Sequence, residues 1–263
     1  MKTQRLQNLF GRKHNDILSV YFTAGFPSLG STGEIITSLV ADGVDMIEVG
    51  APFSDPMADG KVIQGSSTVA LRNGMTLSLL LDQVEEVRPK VPDTPLILMG
   101  YLNPMMRFGI QRLFERCAKA GIDALIIPDL PFADYLRDFK QLCDDYSIPV
   151  IMLVTPETSA ERIRLIDQHC DGFIYAVSTA STTGTRDSFT PDQVAYFTRL
   201  RDMNLRHPFL IGFGISNPAT FRDACDNAAG AIIGSKFIRC LEASPTDIPA
   251  AVNALVSALG LTR

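Results

Sequence analysis

The fold class follows from residues Glu34–Val49, which read EIITSLVADGVDMIEV. Apolar residues at helical spacing fill the first half of this stretch. A glycine, Gly43, then ends the helix, as glycine often does at a helix C-terminus. Within three residues the apolar run Met46–Val49 begins, which is typical of a strand buried on both faces. The stretch therefore predicts a helix that leads directly into a strand of a parallel sheet.

The same junction recurs at Ala120-Gly-Ile-Asp123, and eight short apolar runs punctuate the chain. We predict these runs as strands: Leu18–Thr23, Met46–Val49, Leu96–Tyr101, Ala124–Ile127, Val150–Val154, Phe173–Val177, Phe209–Phe213 and Ala231–Ile233. Helical patterns separate most of them, such as Glu34–Ala41 and Ala160–His169, the latter opened by the capping candidates Thr158 and Ser159.

Eight βα units in 263 residues match the usual size of an α/β barrel. No Pro-, Gly- or Ser-rich linker marks a boundary between domains. We therefore predict an α/β protein with one (β/α)8 TIM barrel of eight parallel strands over residues 1–263. Periodicity alone leaves an open doubly wound sheet as the alternative.

Two intervals between strands are longer than a minimal βα unit. After the second strand come the loop Ala51–Gly60 and an extra helix predicted at Lys61–Arg72. After the sixth strand comes the hydroxyl-rich stretch Ser178–Ser188. A short extra helix is also predicted after the eighth strand, at Lys236–Leu241. Active sites of barrel enzymes lie where strands end and βα loops begin, so the chemistry is expected there.

The composition limits the possible partners. A net charge of −5 argues against general affinity for nucleic acid or anionic membranes. No apolar run approaches the roughly 20 residues of a membrane span, and the polar start resembles no signal peptide, so we expect a cytoplasmic protein. Five widely spaced cysteines without a C-x-x-C pair are expected to be reduced packing thiols and not a zinc site.

Glu48 interrupts an apolar strand, which is an expensive place for a carboxylate unless it finds partners or takes up a proton. It is either a buried glutamate satisfied by neighbouring donors or a general acid and base whose raised pKa suits proton transfer near neutral pH. Asp55 and Asp59 follow in the next loop, where aspartate before proline or glycine is also ordinary turn chemistry. The pattern does not choose between these two aspartates.

Two further sets of residues suggest a ligand. Gly214 follows the seventh strand, and Gly234-Ser235 follows the eighth and opens a helix, an arrangement that binds phosphate through free N–H groups. Thr183-Gly184 after the sixth strand adds to this set. Four apolar or aromatic residues near strand ends would either pack the top of the barrel or line a slot for a flat ring: Phe22, Tyr101, Ile127 and Tyr175.

The segment Glu48-Val-Gly-Ala-Pro-Phe-Ser-Asp-Pro-Met-Ala-Asp59-Gly strongly resembles the signature of tryptophan synthase α subunits. Further matches to that family follow in its order and near its spacing: Ile63-Gln64, Tyr101-Leu-Asn-Pro104, Pro128-Asp-Leu-Pro131, Thr183-Gly184, Gly212-Phe-Gly-Ile215 and Gly234-Ser235.

The resemblance implies retro-aldol cleavage of indole-3-glycerol phosphate to indole and glyceraldehyde 3-phosphate. It implies that Glu48 protonates indole C3 and accepts the proton of the glycerol hydroxyl, and that Asp59 takes the proton of the indole nitrogen. No metal or organic cofactor is implied for this chain. The resemblance also carries over an indole slot, Phe22, Tyr101, Ile127 and Tyr175, and a phosphate site, Thr183, Gly184, Gly214, Gly234 and Ser235.

The family further implies a partner, a pyridoxal-phosphate-dependent β subunit that receives indole through a tunnel in an α2β2 complex. The loop at 52–60 and a lid at 178–188 would couple the two sites. Three departures from the family pattern put lid dynamics and β-subunit contact in question: Lys61 after Asp-Gly, Phe132-Ala-Asp134 after Asp-Leu-Pro, and Ser181 in the sixth loop.

Three other functions compete with this expectation. A stand-alone lyase that releases free indole would carry the same residues. A phosphosugar isomerase or aldolase could share the phosphate site, although no strand-borne lysine at a barrel mouth supports Schiff-base chemistry. A non-catalytic scaffold would be expected to lack the two carboxylates, yet Glu48 and Asp59 are both present.

Overall fold

The computed structural model describes residues 4–178 and 188–261. Within these ranges, parallel strands pair into one sheet. The strands are β1 (Ile17–Thr23), β2 (Met46–Gly50), β3 (Leu96–Met99), β4 (Ala124–Ile126), β5 (Val150–Ile151), β6 (Leu153–Val154), β7 (Ile174–Val177), β8 (Phe209–Gly212) and β9 (Gly230–Ile233). They lie in the order β5-β4-β3-β2-β1-β9-β8-β7-β6, so the first and last strands of the chain are neighbours.

The two ends of this order are joined by a single residue, Met152. β5 pairs with β4 and β6 pairs with β7, and the Tyr175 N–H donates to the Met152 carbonyl at 3.0 Å. The sheet therefore curls into a nearly closed barrel, which confirms the predicted (β/α)8 fold. The predicted strand Val150–Val154 is the one that the structure divides into two segments.

Helices surround the barrel. They are α1 (Arg5–Arg12), α2 (Thr32–Ala41), α3 (Lys61–Arg72), α4 (Leu77–Val87), α5 (Leu102–Phe108), α6 (Ile110–Ala120), α7 (Phe132–Asp134), α8 (Lys140–Tyr146), α9 (Ala160–His169), α10 (Pro191–Asp202), α11 (Pro218–Asn227), α12 (Ser235–Ala243) and α13 (Ile248–Ala258). Both extra helices are present, α3 with the predicted bounds and α12 slightly longer than predicted. Across the two described ranges, no helix is long and apolar enough to cross a membrane.

The alternation of β1 decides which side chains enter the barrel. Successive strand residues point to opposite faces, and paired residues of neighbouring strands share a face. Ser19 donates a hydrogen bond to Glu48 of β2 at 3.0 Å, and Tyr21 is the register partner of Glu48. Ser19, Tyr21 and Thr23 therefore face the interior with Glu48. Phe22 faces the opposite side, toward the surrounding helices.

Candidate active site

Glu48 lies inside the barrel on β2 with 0% of its surface exposed. Its Oε1 accepts the hydrogen bond from the Ser19 hydroxyl, whereas Oε2 has no partner among the described side chains and backbone groups. Burial raises the pKa of Glu48 to about 8, and the Ser19 hydrogen bond opposes that rise. The carboxyl group therefore holds a proton at neutral pH, and its Oε2 is the oxygen left for a ligand.

Asp59 lies on the loop between β2 and α3 and is 6% exposed. Its Oδ2 accepts a hydrogen bond of 2.9 Å from the Tyr101 hydroxyl, which itself accepts one of 3.0 Å from the Ala58 N–H. The Gln64 side chain donates to the Asp59 carbonyl at 2.8 Å. Burial raises the pKa of Asp59 to about 6, and the Tyr101 hydrogen bond limits the rise. This carboxyl group is therefore mostly ionised at neutral pH.

The structure separates the two aspartates that the sequence left open. Asp55 is exposed and accepts a hydrogen bond from the neighbouring Ser54 hydroxyl, which is ordinary turn chemistry. Asp59 is buried, and its charge acts on the interior phenols of Tyr21 and Tyr175. Among the residues with described positions, no group of three His, Cys, Asp or Glu side chains could hold a metal ion.

Two tyrosine rings lie against two glycines of the barrel wall. A methyl group on Gly50 would lie 2.2 Å from the Tyr21 hydroxyl, and one on Gly212 would lie 2.3 Å from the Tyr175 hydroxyl. Burial, with the charges of the two site carboxylates, raises the pKa of both phenols, so both keep their protons. The rings can approach the backbone this closely only because these two strand ends carry no side chain.

Tyr101 forms the third aromatic side of the site. It follows β3, is buried, and its ring centroid lies 5.4 Å from that of Phe53 on the loop that carries Asp59. Two of the predicted slot residues, Tyr101 and Tyr175, are thus brought close to the carboxyl pair. Three phenol rings, on β1, on β7 and directly after β3, can enclose a flat aromatic ligand.

The structure corrects the other two predicted slot residues. Phe22 is buried on the outer face of β1, so its neighbour Tyr21 takes the interior position. Ile127 follows the end of β4, and it is Ile126 that is in register with the interior residue Met99. In both cases the sequence indicated the right strand end but the wrong face, because two adjacent apolar residues do not show the alternation.

The candidate phosphate residues lie at the ends of neighbouring strands. Gly214 follows β8 with φ +79°, and a methyl group there would lie 3.8 Å from the Ser178 hydroxyl. Gly234 caps the N-terminus of α12 and borders the Tyr21 ring, and Ser235 beside it is exposed. The predicted residues Thr183 and Gly184, the departure Ser181 and nearly all of the predicted lid lie outside the described residues.

Sequence reasoning missed several residues of the site, although one signal was available. Ser19, Tyr21 and Thr23 carry the hydroxyl groups of β1 at alternate positions, which marks one polar face of an otherwise apolar strand. Ser19 became visible only as the donor to Glu48. Gly50 and Gly212 gave no signal, because glycine after a barrel strand is common in tight turns.

These features define a (β/α)8-barrel enzyme with two carboxyl groups of different acidity at the C-terminal ends of its strands. The family model described as tryptophan synthase alpha chain matches residues 7–260. The chain belongs to this family. It is a carbon–carbon lyase of tryptophan biosynthesis that cleaves indole-3-glycerol phosphate to indole and glyceraldehyde 3-phosphate, the indole being passed to a beta subunit.

Individual relatives agree over nearly the full length. The tryptophan synthase alpha chain of Parabacteroides distasonis is 54% identical over 97% of this chain and 98% of its own. That of Bacteroides fragilis is 56% identical over 90% of each chain. The crystal structure of the alpha chain from Legionella pneumophila subsp. pneumophila has a TM-score of 0.85 at 32% identity, covering 97% of this chain and 94% of its own.

The chain is also similar to a structure of tryptophan synthase from M. tuberculosis in an aminoacrylate-bound form. The TM-score is 0.84 at 26% identity, and the match covers 98% of each chain. The barrel described above is therefore shared with relatives that differ in about three residues of four.

Proposed function

We propose that Glu48 and Asp59 carry the two proton transfers of indole-3-glycerol phosphate cleavage. The observation that carries this proposal is the difference between their surroundings. Burial keeps Glu48 protonated at neutral pH, with a pKa of about 8, whereas Asp59 is ionised above its pKa of about 6. One group is therefore ready as an acid and the other as a base.

In the first step, Glu48 gives its proton to C3 of the indole ring while Asp59 takes the proton from the ring nitrogen. The ring becomes an indolenine with a tetrahedral C3, which is a competent leaving group. Proton transfer of this kind at a positioned side chain contributes about 10²–10⁴-fold in rate.

In the second step, the Glu48 carboxylate takes the proton of the hydroxyl on the carbon bonded to C3. The C–C bond breaks, its electron pair returns to the indole ring, and Asp59 returns its proton to the nitrogen. The products are indole and glyceraldehyde 3-phosphate, and both carboxyl groups regain their starting states. The step needs no oxidant, and we propose that this chain uses no cofactor, with pyridoxal phosphate confined to the partner.

We propose that the indole ring lies among Tyr21, Tyr101 and Tyr175, near the interior residue Ile126, in place of the slot with Phe22 and Ile127 expected from the sequence. We propose that Gly214, Gly234 and Ser235 bind the phosphate, because their backbone groups lie at the ends of β8 and β9 and at the N-terminus of α12. Thr183 and Gly184 remain part of the proposed phosphate site on sequence grounds alone.

We propose that this chain and its beta subunit assemble as an α2β2 complex. Two large apolar side chains are exposed on the segments that adjoin Tyr101. Met57 precedes Ala58, whose N–H donates to the Tyr101 hydroxyl, and is 81% exposed; Met106 lies on α5, which begins directly after Tyr101, and is 61% exposed. Methionine is enriched at protein interfaces relative to the rest of the surface. A partner that covers these segments would receive indole directly from the site.

We also propose that residues 1–263 act as one catalytic domain in the cytoplasm. The family model covers residues 7–260, and α1 and α13 at the two ends of the described chain both contribute buried residues to the core. Phosphorylated intermediates of biosynthesis are ordinarily held inside cells by their charge, so an enzyme that consumes one is expected there.

The test measures indole release from indole-3-glycerol phosphate by Glu48→Gln and Asp59→Asn. Each substitution keeps the shape of the side chain and removes its acid–base chemistry, so turnover is expected to fall by at least about a hundredfold. Asp55→Asn, in the same loop but exposed, is the matched control and is expected to retain turnover. Full turnover in Glu48→Gln or Asp59→Asn, with normal circular dichroism, would remove that residue from the mechanism.

A further inference from the structure

Three buried hydroxyl groups form a row between the site and α3. The Tyr21 hydroxyl lies 3.4 Å from the Thr23 hydroxyl, which lies 2.7 Å from the Ser66 hydroxyl. The Ser66 hydroxyl lies 2.9 Å from the backbone carbonyl of Ile63. The row therefore joins the interior face of β1 to the helix that begins directly after Asp59 and Gly60.

A count of protons fixes the direction of this row. It contains three contacts and three hydroxyl protons, and each hydroxyl can donate once. The Ile63 carbonyl can only accept, so the Ser66 proton is directed to it. Thr23 must then donate to Ser66, and Tyr21 must donate to Thr23. Only this arrangement makes all three contacts hydrogen bonds, and it directs the Tyr21 proton along the strand and away from the site.

The Tyr21 ring lies between the two parts of the proposed site. One edge borders Gly234, whose added methyl group would be 3.4 Å from the ring, and its hydroxyl end lies over Gly50. Three titratable groups act on this phenol: Asp59 from the loop after β2, Tyr101 from the end of β3 and Glu48 from β2. The phenol itself acts on a fourth, Tyr175 of β7. Among the charges, that of Asp59 acts on the Tyr21 phenol most strongly.

We propose that Tyr21 is a positioning residue of this reaction, held by Thr23 and Ser66 so that it presents an oxygen lone pair, and not a proton, to the carboxyl pair. This inference rests on the proposed roles of Asp59 and Glu48. It adds a function for three hydroxyl groups that the proton transfers themselves do not use.

The physical effect follows from the acceptor that the Tyr21 proton would otherwise find. A phenol with no hydroxyl acceptor is free to turn its proton toward the negative charge that acts on it most strongly, here that of Asp59. A donor to an ionised carboxylate stabilises the charged form and lowers the pKa of that carboxyl group. Asp59 would then be a weaker base toward the indole nitrogen. The hydroxyl row thus preserves the basicity of Asp59, and its weakest link, the 3.4 Å contact, is the one next to the site.

The main test compares Thr23→Val with Thr23→Ser by the pH dependence of indole release. Valine has the shape of threonine without the hydroxyl, so the Tyr21 proton is freed. We expect the acid limb of the kcat profile to move to lower pH by about half a unit or more, and the plateau rate to fall. Thr23→Ser keeps the hydroxyl and is expected to keep the wild-type midpoint. Equal midpoints in both variants would overturn the proposal.

The second test uses Ser66→Ala in two backgrounds. In the wild type, Ser66→Ala is expected to lower the pH midpoint of the acid limb of the kcat profile, as Thr23→Val does. Ser67→Ala, the same change at the next buried position of α3, is expected to leave this midpoint unchanged. In a Tyr21→Phe background no phenol proton exists, so Ser66→Ala is expected to move the midpoint by less than about 0.2 units from that of Tyr21→Phe alone. An equal shift in both backgrounds would show that Ser66 acts only through helix packing.

Failure of this inference is distinguishable from failure of the proposed function. If Asp59→Asn keeps full turnover, Asp59 is not the base, and the orientation of the Tyr21 hydroxyl has no catalytic group to act on. If Asp59→Asn loses turnover while Thr23→Val keeps the wild-type pH profile, the base is right and Tyr21 plays no positioning part. Loss of secondary structure in Thr23→Val would leave Ser66→Ala in the two backgrounds to decide.

Discussion

The Tyr101 hydroxyl donates to Asp59 Oδ2 at 2.9 Å and accepts from the Ala58 N–H at 3.0 Å. One side chain at the end of β3 thus holds both the backbone and the carboxylate of the loop that follows β2. The donor stabilises the ionised form of Asp59, while burial opposes it. The acidity of Asp59 therefore depends on whether this loop is docked against Tyr101.

The first prediction concerns pH. In the proposed mechanism, turnover requires ionised Asp59 and protonated Glu48, so kcat/KM is expected to rise through a pKa of about 6 and to fall above a pKa of about 8. Tyr101→Phe removes a donor to the Asp59 carboxylate, which raises that pKa, so the acid limb is expected to move to higher pH. Tyr146→Phe, which removes only a hydroxyl that accepts a hydrogen bond from Gln111, is the control. A profile that stays flat from pH 5 to 9 would contradict these assignments.

The second prediction concerns stability. The pKa of Glu48 is about 8 in the fold against 4.5 as a free side chain, so the folded state keeps a proton that the unfolded state releases between these values. The free energy of unfolding contributed by this group therefore falls as pH rises from 4.5 to 8. Glu48→Gln lacks this loss and is expected to be more stable, by on the order of 3 kcal/mol at pH 8 and by much less at pH 5.

Urea denaturation at the two pH values measures this difference. Glu115→Gln, at an exposed position of α6, is the control and is expected to change stability little at either pH. A Glu48→Gln variant that is inactive but more stable would separate loss of chemistry from loss of fold. The same stability gain at both pH values would argue against a buried, protonated Glu48.

The third prediction concerns the two glycines beneath the tyrosine rings. An added methyl group in Gly50→Ala or Gly212→Ala would lie within 2.6 Å of the ring of Tyr21 or Tyr175, so the ring must move into the site. Both variants are expected to raise KM and lower kcat by about tenfold or more, since a displacement of about 1 Å can cost a hundredfold in rate. Steady-state kinetics with indole-3-glycerol phosphate measures the effect.

Gly65→Ala is the matched control for these variants, because Gly65 lies within α3 and a methyl group there meets nothing within 4 Å. It is expected to keep full activity and to stabilise the protein by about 0.5–1 kcal/mol, the usual gain for alanine over glycine in a helix. Wild-type kinetics in Gly50→Ala and Gly212→Ala alike would show that the two tyrosines do not shape the binding site.

The fourth prediction concerns the partner. Met106→Glu places a charge on the exposed apolar surface of α5, so the dissociation constant for a cognate beta subunit is expected to rise by about tenfold or more. Indole release by the isolated chain is expected to stay at its wild-type rate. Val194→Glu, which charges a similarly exposed residue on α10, is expected to leave the affinity unchanged. Equal affinities of the Met106→Glu and wild-type chains would move the interface elsewhere.

The architecture was largely predictable because barrel strands are buried on both faces and therefore appear as plain apolar runs. α9 begins and ends at its predicted residues, and Ser159 accepts a hydrogen bond from the Arg162 N–H at its start. Glu48 was recognisable as a charged residue within such a run. The hydrophobic pattern of the sequence thus predicts most of the fold.

The faces of adjacent residues were not predictable in the same way. Tyr21-Phe22 and Ile126-Ile127 are apolar pairs, and only the register with β2 and β3 shows which member enters the barrel. The importance of Asp59 over Asp55 likewise came from resemblance, because burial of a loop residue depends on contacts far away in the chain, here with Tyr101. Local sequence contains no record of such contacts.

The division of the fifth barrel strand into β5 and β6 has a consequence for how the barrel responds to its substrate. β5 and β6 each contribute only two paired residues, to different neighbours, on either side of Met152. One arc of the cylinder, β1 to β5, supplies Glu48 and the Asp59 loop, and the other, β6 to β9, leads to Gly214 and Gly234. A substrate bound as proposed contacts Tyr21 and Tyr101 on the first arc and Tyr175 and the phosphate residues on the second, so its binding is expected to hold the two arcs together and to stiffen the barrel.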